Sequence, residues 1–532
     1  MTRRTPLALA SVLLASLALP ASAFELTIIH TNDVHDRFEP ITSSGSTCSA
    51  EQLAEPGECF GGIARLASAI AERRAASENP LVLDAGDWFQ GTLFFVQYGG
   101  EVAAEMINTI GYDAVAVGNH EFDKGPAELD AFVNGLDVPL LSSNIDVSAE
   151  PALEDGLILP STVVEVGGER IGVVGVVAED TPELAMTGEV AFEAPIEAVR
   201  REVERLSGEG IDKIVVLSHI GYVADQRLAE AVDGIDVIVG GHSHTLLAND
   251  VEGAVGPYPT MVTGPGGTDV PIVQAAAYTQ YLGELTVTFD ENGVVTAASG
   301  DPILLESTLP EDETVKARVA ELSGGLEEIR NKVIGQTSGP IDGTRESCRS
   351  GECEMGNFVA DAMLEHTAGQ GTQLVIINGG GLRASIDEGE ITQGEVLTVL
   401  PFLNTLSTFE VSGQAILAAL ENGVGAVEEG AGRFPQVAGL EYDWSRTAEP
   451  GSRIRAVRVM QGDDWVPIDP QATYLVASNN FMRNGGDGYE SFVDAQNVYD
   501  FGPTIDTVVA DYLAAQGGAY EPYLDGRINE VD

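Results

Sequence analysis

Six of the chain's seven histidines, His30, His35, His120, His219, His242 and His244, stand in or just after the carboxyl end of a short apolar run. Carboxylates and an amide accompany them. Read in order, the run ends carry Asp33-Val34-His35, Asp84-Ala85-Gly86-Asp87, Gly118-Asn119-His120-Glu121, Ser218-His219 and Gly240-Gly241-His242-Ser243-His244. A lone strand-end aspartate is usually a cap or turn residue, and a lone histidine usually a satisfied structural group. Five such loops in register are another matter, because α/β sheets gather the loops at their strand ends into one crevice. A single zinc with three or four ligands would leave several of these groups idle. Two divalent ions ~3.5–4 Å apart, sharing one carboxylate, would use them, and such a pair suits in-line displacement at phosphorus. Imidazole together with carboxylate oxygen favours Zn, Mn, Fe or Co over Ca. His30 and Asp84 are expected behind the ligands, Glu121 is expected to seat its loop, and His366, in a helical segment of the second half, is read as a surface residue.

The elements that must position these groups are legible from periodicity. LTIIH, PLVLDA, DAVAV, VPLLS, RIGVVGVV, KIVVLS and DVIVG read as strands, and GGIARLASAIAERRAAS and EAPIEAVRREVERLS as amphipathic helices between them. This alternation gives an α/β first domain over residues 24–305. A polar helical stretch (310–333) falls within a linker or hinge over 306–335, and a second α/β domain fills 336–532. That domain carries helices at MGNFVADAMLEHT and GQAILAALENGV and strands at TQLVIIN, GLEYDW, RIRAVRVM and TYLVASN.

At 532 residues the chain is long enough for two cores. It opens with MTRR, an apolar run and Ala21-Ser22-Ala23, the order of a secretory leader cleaved after residue 23. A periplasmic or secreted protein without a membrane anchor is expected. Its four cysteines fall into two local pairs, Cys48 with Cys59 and Cys348 with Cys353, which suggests two disulfide loops. Lysine and arginine total 27 against 83 acids, a formal charge of −56, so nucleic acid polymers and anionic membranes are poor partners. Only Lys124, Lys213, Lys316 and Lys332 are lysines, and acidity with so little lysine suggests a halophilic habitat. Oligomeric state leaves no mark in the sequence.

IIHTNDVH, LDAGDWFQG, VGNHEFDKG, VLSHIG and GGHSH resemble, in order and spacing, the metallophosphoesterase half of the 5′-nucleotidase family, which includes bacterial periplasmic UDP-sugar hydrolases and vertebrate ecto-5′-nucleotidases. The resemblance covers nearly the whole chain beyond the leader. It implies a calcineurin-like β-sandwich flanked by helices, followed by a C-terminal substrate-binding domain. It also implies two metal sites, one formed by Asp33, His35, Asp87 and His244 and the other by Asp87, Asn119, His219 and His242, with zinc, manganese or cobalt as the ions. His120 matches the family's catalytic histidine and Asp123 the carboxylate that orients it. CRSGECEMGN, NGGGLR, LPFLN and NNFMRNGGDGY extend the resemblance into the second half. Through them Phe402 and Phe481 would stack a base, Asp487 would hold ribose, and Arg349 and Arg383 would hold phosphate with Asn378 and Asn404 nearby. A further arginine of this region is implied without a matching position. The activity so implied is hydrolysis of nucleoside 5′-monophosphates, with ATP, ADP or UDP-sugars as further substrates. Alternatives are a 2′,3′-cyclic-nucleotide phosphodiesterase/3′-nucleotidase, whose base-stacking residues tend to be tyrosines, a thiosulfohydrolase, and an inactive nucleotide-binding or adhesive protein.

Overall fold

The computed structural model describes residues 23–531 except 44, 46, 154–156, 403, 463 and 501. The expected leader, apart from Ala23, lies outside these residues. In the first half two sheets pack face to face. One has seven strands in the order Val295–Leu304, Tyr281–Phe289, Phe24–Thr31, Pro80–Asp84, Ala114–Ala116, Leu140–Leu141 and Ile158–Leu159. Its strands run parallel from Phe24–Thr31 onward, while the two strands at the other edge are antiparallel. The second sheet has six strands, with Asp269–Val273, Val237–Gly240, Ile214–His219 and Glu169–Val177 as its parallel centre.

Leu26, Ile28, Leu83 and Ala116 of the first sheet meet Val173, Val215, Leu217 and Val239 of the second in one buried core. Alternate residues of the same strands face outward under helices, so each strand is buried on both sides and reads as a continuous apolar run. Helix Ile63–Ala76 forms because Ile63, Leu66 and Ile70 recur on one face and are buried against the first sheet. Helix Pro195–Gly208 starts with proline, whose missing N–H costs nothing there, and buries Val199, Val203 and Leu206 against the second.

The polar stretch expected as one helical connector is two helices, Glu313–Gly324 and Glu327–Arg330, because the Gly324-Gly325 pair interrupts it. Asp312 caps the first of them by accepting from the N–H groups of Thr314 and Val315. The pair is not a free strut. Val315, Val319, Leu322 and Leu326 enter the core of the first half, and Arg330 reaches Glu39 at 2.8 Å.

The second half is built on a five-stranded sheet, Pro435–Ala438, Leu374–Asn378, Thr473–Asn479, Leu406–Ser412 and Gln496–Tyr499. Leu374 and Ile376 face one core and Val375 and Ile377 the other, the two-residue alternation of a doubly covered strand. Leu397 crosses to pack in the core of the first half. Both disulfides form, Cys48–Cys59 and Cys348–Cys353. Among the described residues no helix is long and apolar enough to cross a membrane.

Candidate metal centre

The sandwich delivers the five loops to one end, and their donor atoms converge. Asp33, His35 and His244 form one cluster, and Asp87, His219 and His242 another, with donors in each within 4.8 Å of one another. Asp87 lies between the clusters: its Oδ2 is 3.6 Å from His35 Nε2 and 3.0 Å from His219 Nε2. Asn119 joins the second cluster, its Oδ1 2.8 Å from His242 Nδ1. All seven residues expected as ligands are thereby assembled.

Backbone geometry explains how short loops point so many side chains inward. Asp33, His35, Asp87, His242 and His244 all have φ between 49° and 67°. Aspartate and histidine tolerate this left-handed region better than most residues, and such conformations gather where function requires them. Close approach demands glycine beside them. A Cβ on Gly118 would collide with the Asp87 carboxylate, and one on Gly241 would press on His219.

Hydrogen bonds decide which ring atom faces the site. His35 Nδ1 donates to the carbonyls of Phe89 and Gln90 (3.0 and 2.9 Å), and His219 Nδ1 to that of Ala85 (2.6 Å). A carbonyl only accepts, so in the neutral rings Nε2 carries a lone pair. His35 Nε2 then faces His244 Nε2 at 3.1 Å, and His219 Nε2 faces the Asp87 carboxylate at 3.0 Å. Against the effect of its burial, the Asp87 carboxylate pushes the His219 pKa up to about 10, so this space favours a positive charge, and the donor set fits a divalent metal site. Burial holds His35, His242 and His244 well below the ordinary imidazole value, the neutral form a ligand needs. Burial favours protonation of Asp87, yet His219, His120 and His35 hold it well below the usual carboxylate range.

Of the three residues expected behind the donor cluster, Glu121 and Asp84 brace its loops and His30 does not. The Glu121 carboxylate accepts from the backbone N–H groups of Asp87, Trp88, Phe89 and Gly118, tying two ligand loops together. Asp84 accepts from Thr31 Oγ1 at 2.5 Å and from the Gly86 N–H at 2.9 Å. His30 points away to the Tyr258 hydroxyl at 2.8 Å, and burial pushes its pKa down to about 3. His366 is exposed.

His120 is buried beside the same centre, and its position next to His35 and Asp87 also makes it a potential ligand. Its Nδ1 lies 2.8 Å from Asp123 Oδ2. An ionised carboxylate can only accept, so Nδ1 bears the proton and Nε2 remains available.

The second half closes one side of the centre. The Phe402 ring lies 5.7 Å from the His120 ring, and the Arg383 guanidinium 5.8 Å from Phe402. Asn378 donates to Asp487 at 2.6 Å and accepts from Asn479 at 2.9 Å. Asn378, Phe402 and Asn404 line one pocket. Phe481 lies against Gly486 at the edge of an apolar cluster of the second half, and among the described residues its ring does not pack on Phe402.

Two arginines escaped the reading from sequence. Arg345 donates to the His242 carbonyl at 3.2 Å and stands one helical turn before Arg349, on the short helix Arg345–Cys348 that the Cys348–Cys353 bridge closes. The i, i+4 spacing across Cys348 was the available signal. Arg37, two residues beyond His35, is 1% exposed, and none of its three guanidinium nitrogens has a hydrogen-bond partner among the described residues. Burial lowers the pKa of Arg37, Arg345 and Arg349, and Arg383 lowers each further, so these like charges converge on one space.

Comparison with known proteins matches both halves. Residues 26–246 fit the calcineurin-like phosphoesterase family and residues 333–494 the 5′-nucleotidase C-terminal domain. The 5′-nucleotidase of Diplobatis ommata is 39% identical over 549 residues, spanning 99% of this chain and 93% of its own. That of Homo sapiens is 38% identical over 546 residues, spanning 99% and 94%. A crystal structure of the 5′-nucleotidase precursor from Thermus thermophilus superposes with a TM-score of 0.91 at 42% identity, over 96% of this chain and 100% of that one. Two matched domains in the same order, and this identity over nearly the full length, place the chain in the 5′-nucleotidase family.

Proposed function

We propose that this chain is an exported dimetal 5′-nucleotidase that hydrolyses nucleoside 5′-monophosphates, with ATP, ADP or UDP-sugars as further substrates. The observation that carries the reading is the meeting of two chemistries in one space: the carboxylate and imidazole donors of the first half face the arginines and Phe402 of the second. Full-length similarity to proteins named 5′-nucleotidase supports it. Asp33, His35, Asp87 and His244 would hold one ion and Asp87, Asn119, His219 and His242 the other, with Asp87 shared. Zinc, manganese or cobalt suits this donor set. When bound, such ions supply Lewis acidity to the phosphoryl oxygens and to the attacking water. His120, its tautomer fixed by Asp123, presents Nε2 to the phosphoryl oxygen or the leaving group.

Arg345, Arg349, Arg383 and Arg37 would gather the phosphate, for which the planar guanidinium fork is suited. Phe402 and Phe481 would stack the base with Asn404 beside it. Asp487, already held by Asn378, would accept from the ribose hydroxyls. Export to the periplasm or the medium is consistent with two disulfides in so small a cysteine complement.

Phosphate release from a panel of 5′-, 3′- and 2′,3′-cyclic nucleotides tests the reading, after chelation and re-addition of Zn, Mn or Co. Metal-dependent preference for 5′-monophosphates is expected. Preference for the cyclic or 3′ substrates would favour the phosphodiesterase alternative, and no turnover with any metal would favour a binding protein.

A further inference from the structure

Arg37 poses a problem that the metal centre does not solve. A guanidinium buried to 1% exposure with three unpartnered nitrogens is an expensive state, and the neighbouring Asp36 does not relieve it, since both its oxygens are also unpartnered. What does hold Arg37 is an aromatic ring: its Cζ lies 4.8 Å from the centroid of Tyr278. A cation over a ring face is attracted by the ring's quadrupole, and most strongly where water is excluded.

Tyr278 is itself pinned to the metal loops. Its N–H donates to the Asp33 carbonyl at 2.8 Å. Its ring meets His35 at 5.6 Å and His244 at 5.2 Å, both edge to face. On another side lies Gly45, where a Cβ would stand 3.7 Å from the ring. The residue sits at φ 62° in a run, Ala276, Tyr278 and Thr279, that is left-handed at each of these positions. An aromatic residue accepts that conformation only where surrounding contacts enforce it.

We propose that Tyr278 is a positioning residue of the phosphate site: its ring is the platform that keeps the unpaired Arg37 guanidinium beside the metal ligands and ready for an anionic phosphoryl group. Its contacts with His35 and His244 set the platform's height relative to the metal centre. Most of the hydrogen-bonding capacity of Arg37 is left free because the ring holds it, with the Tyr278 hydroxyl the one polar group of the platform near the guanidinium, whereas a carboxylate partner would consume the N–H groups that phosphate needs. The inference rests on the nucleotidase reading above.

Tyr278→Asn removes the ring with little backbone penalty, since asparagine adopts left-handed φ more readily than most residues, and Tyr278→Phe keeps the ring without the hydroxyl. Both variants, Arg37→Gln and the double variant Arg37→Gln/Tyr278→Asn are loaded with metal, and inorganic phosphate binding is measured by calorimetry beside metal stoichiometry and AMP kinetics. Tyr278→Asn is expected to weaken phosphate about tenfold. It should raise KM more than it lowers kcat and retain the metal content, while Tyr278→Phe stays within about twofold of the parent. On the Arg37→Gln background, Tyr278→Asn should add nothing. Unchanged phosphate affinity in Tyr278→Asn, equal losses in the Phe and Asn variants, loss of metal, or additive effects with Arg37→Gln would each overturn the platform role. If Tyr278→Asn does not fold, Tyr278→Phe and Arg37→Gln decide it, a weakened Tyr278→Phe or a phosphate-indifferent Arg37→Gln overturning it. A parent protein that hydrolyses 5′-nucleotides while Tyr278→Asn binds phosphate normally would refute this inference alone. A parent that binds no phosphate would refute the nucleotidase reading with it.

Discussion

His120 and Asp123 illustrate how a single hydrogen bond assigns a role at the scale of one residue. The 2.8 Å contact fixes the proton on Nδ1 and leaves Nε2 toward the centre, although His120 stands close enough to His35 and Asp87 to be a ligand. His120→Ala is therefore expected to lower kcat by orders of magnitude with metal content intact, read by metal analysis beside steady-state kinetics. Loss of metal with activity would transfer His120 to the ligand set. Phe481 carries a separate expectation: Phe481→Ala should weaken nucleotide binding by the ~1–3 kcal/mol of a base stack and leave p-nitrophenyl phosphate hydrolysis nearly unchanged. Equal losses on both substrates would mark Phe481 as part of the apolar cluster it borders. The residues of the donor cluster were legible because histidine is rare in this chain and clusters at strand ends. Arg345 and Arg37 were not, since one arginine three residues before a cysteine, or one two residues after His35, looks like any surface charge until the fold buries Arg37 and half-buries Arg345 against His242.

Elements transmit these positions. The carboxyl ends of parallel strands in both sheets supply the ligand loops, and left-handed backbone turns their side chains inward. The second half reaches the centre through Arg345 and Phe402, with Leu397 and the pair Gln52–Asp387 (3.3 Å) also crossing between the halves. If substrate must enter a space formed by both halves, the segment from Asn331 to Gly335 acts as the hinge, beyond the connector helices that pack on the first half. A disulfide between Gln52→Cys and Asp387→Cys should then arrest turnover and release it on mild reduction, which spares the buried Cys348–Cys353 bridge. Full activity in the verified crosslinked state would show that catalysis needs no such motion.

The whole molecule is dominated by its charge. With 83 acids against 27 basic residues, the surface repels itself and an incoming nucleotide wherever the Debye length is long, ~30 Å at 0.01 M salt against ~3 Å at 1 M. Screening also weakens the attraction between the arginines and phosphate, but that attraction is buried and short-ranged while the repulsion is global. Thermal midpoint and nucleotide kcat/KM are both expected to rise from low salt to about 1 M NaCl, with metal held saturating. A midpoint that falls steadily across the series would reject the halophilic expectation.

What the sequence determined by itself was local. Ile63, Leu66 and Ile70 at helical spacing, the apolar strands, the donor types at their ends and the two short cysteine pairs all depend on neighbours along the chain, and each formed as read. The Gly324-Gly325 break in the connector was equally local, yet the polar pattern around it masked it. Tertiary structure decided everything that needs partners far apart in the chain. Strand Phe24–Thr31 pairs with Tyr281–Phe289, some 250 residues away, which gives the first sheet its antiparallel edge. Ring orientation at His35 and His219 is set by carbonyls of other loops, and the four arginines reach one space from three separate segments. Periodicity records which side of an element is buried, but not against what. The physical reason is that long-range hydrogen bonds and charge convergence exist only once the sheets have packed.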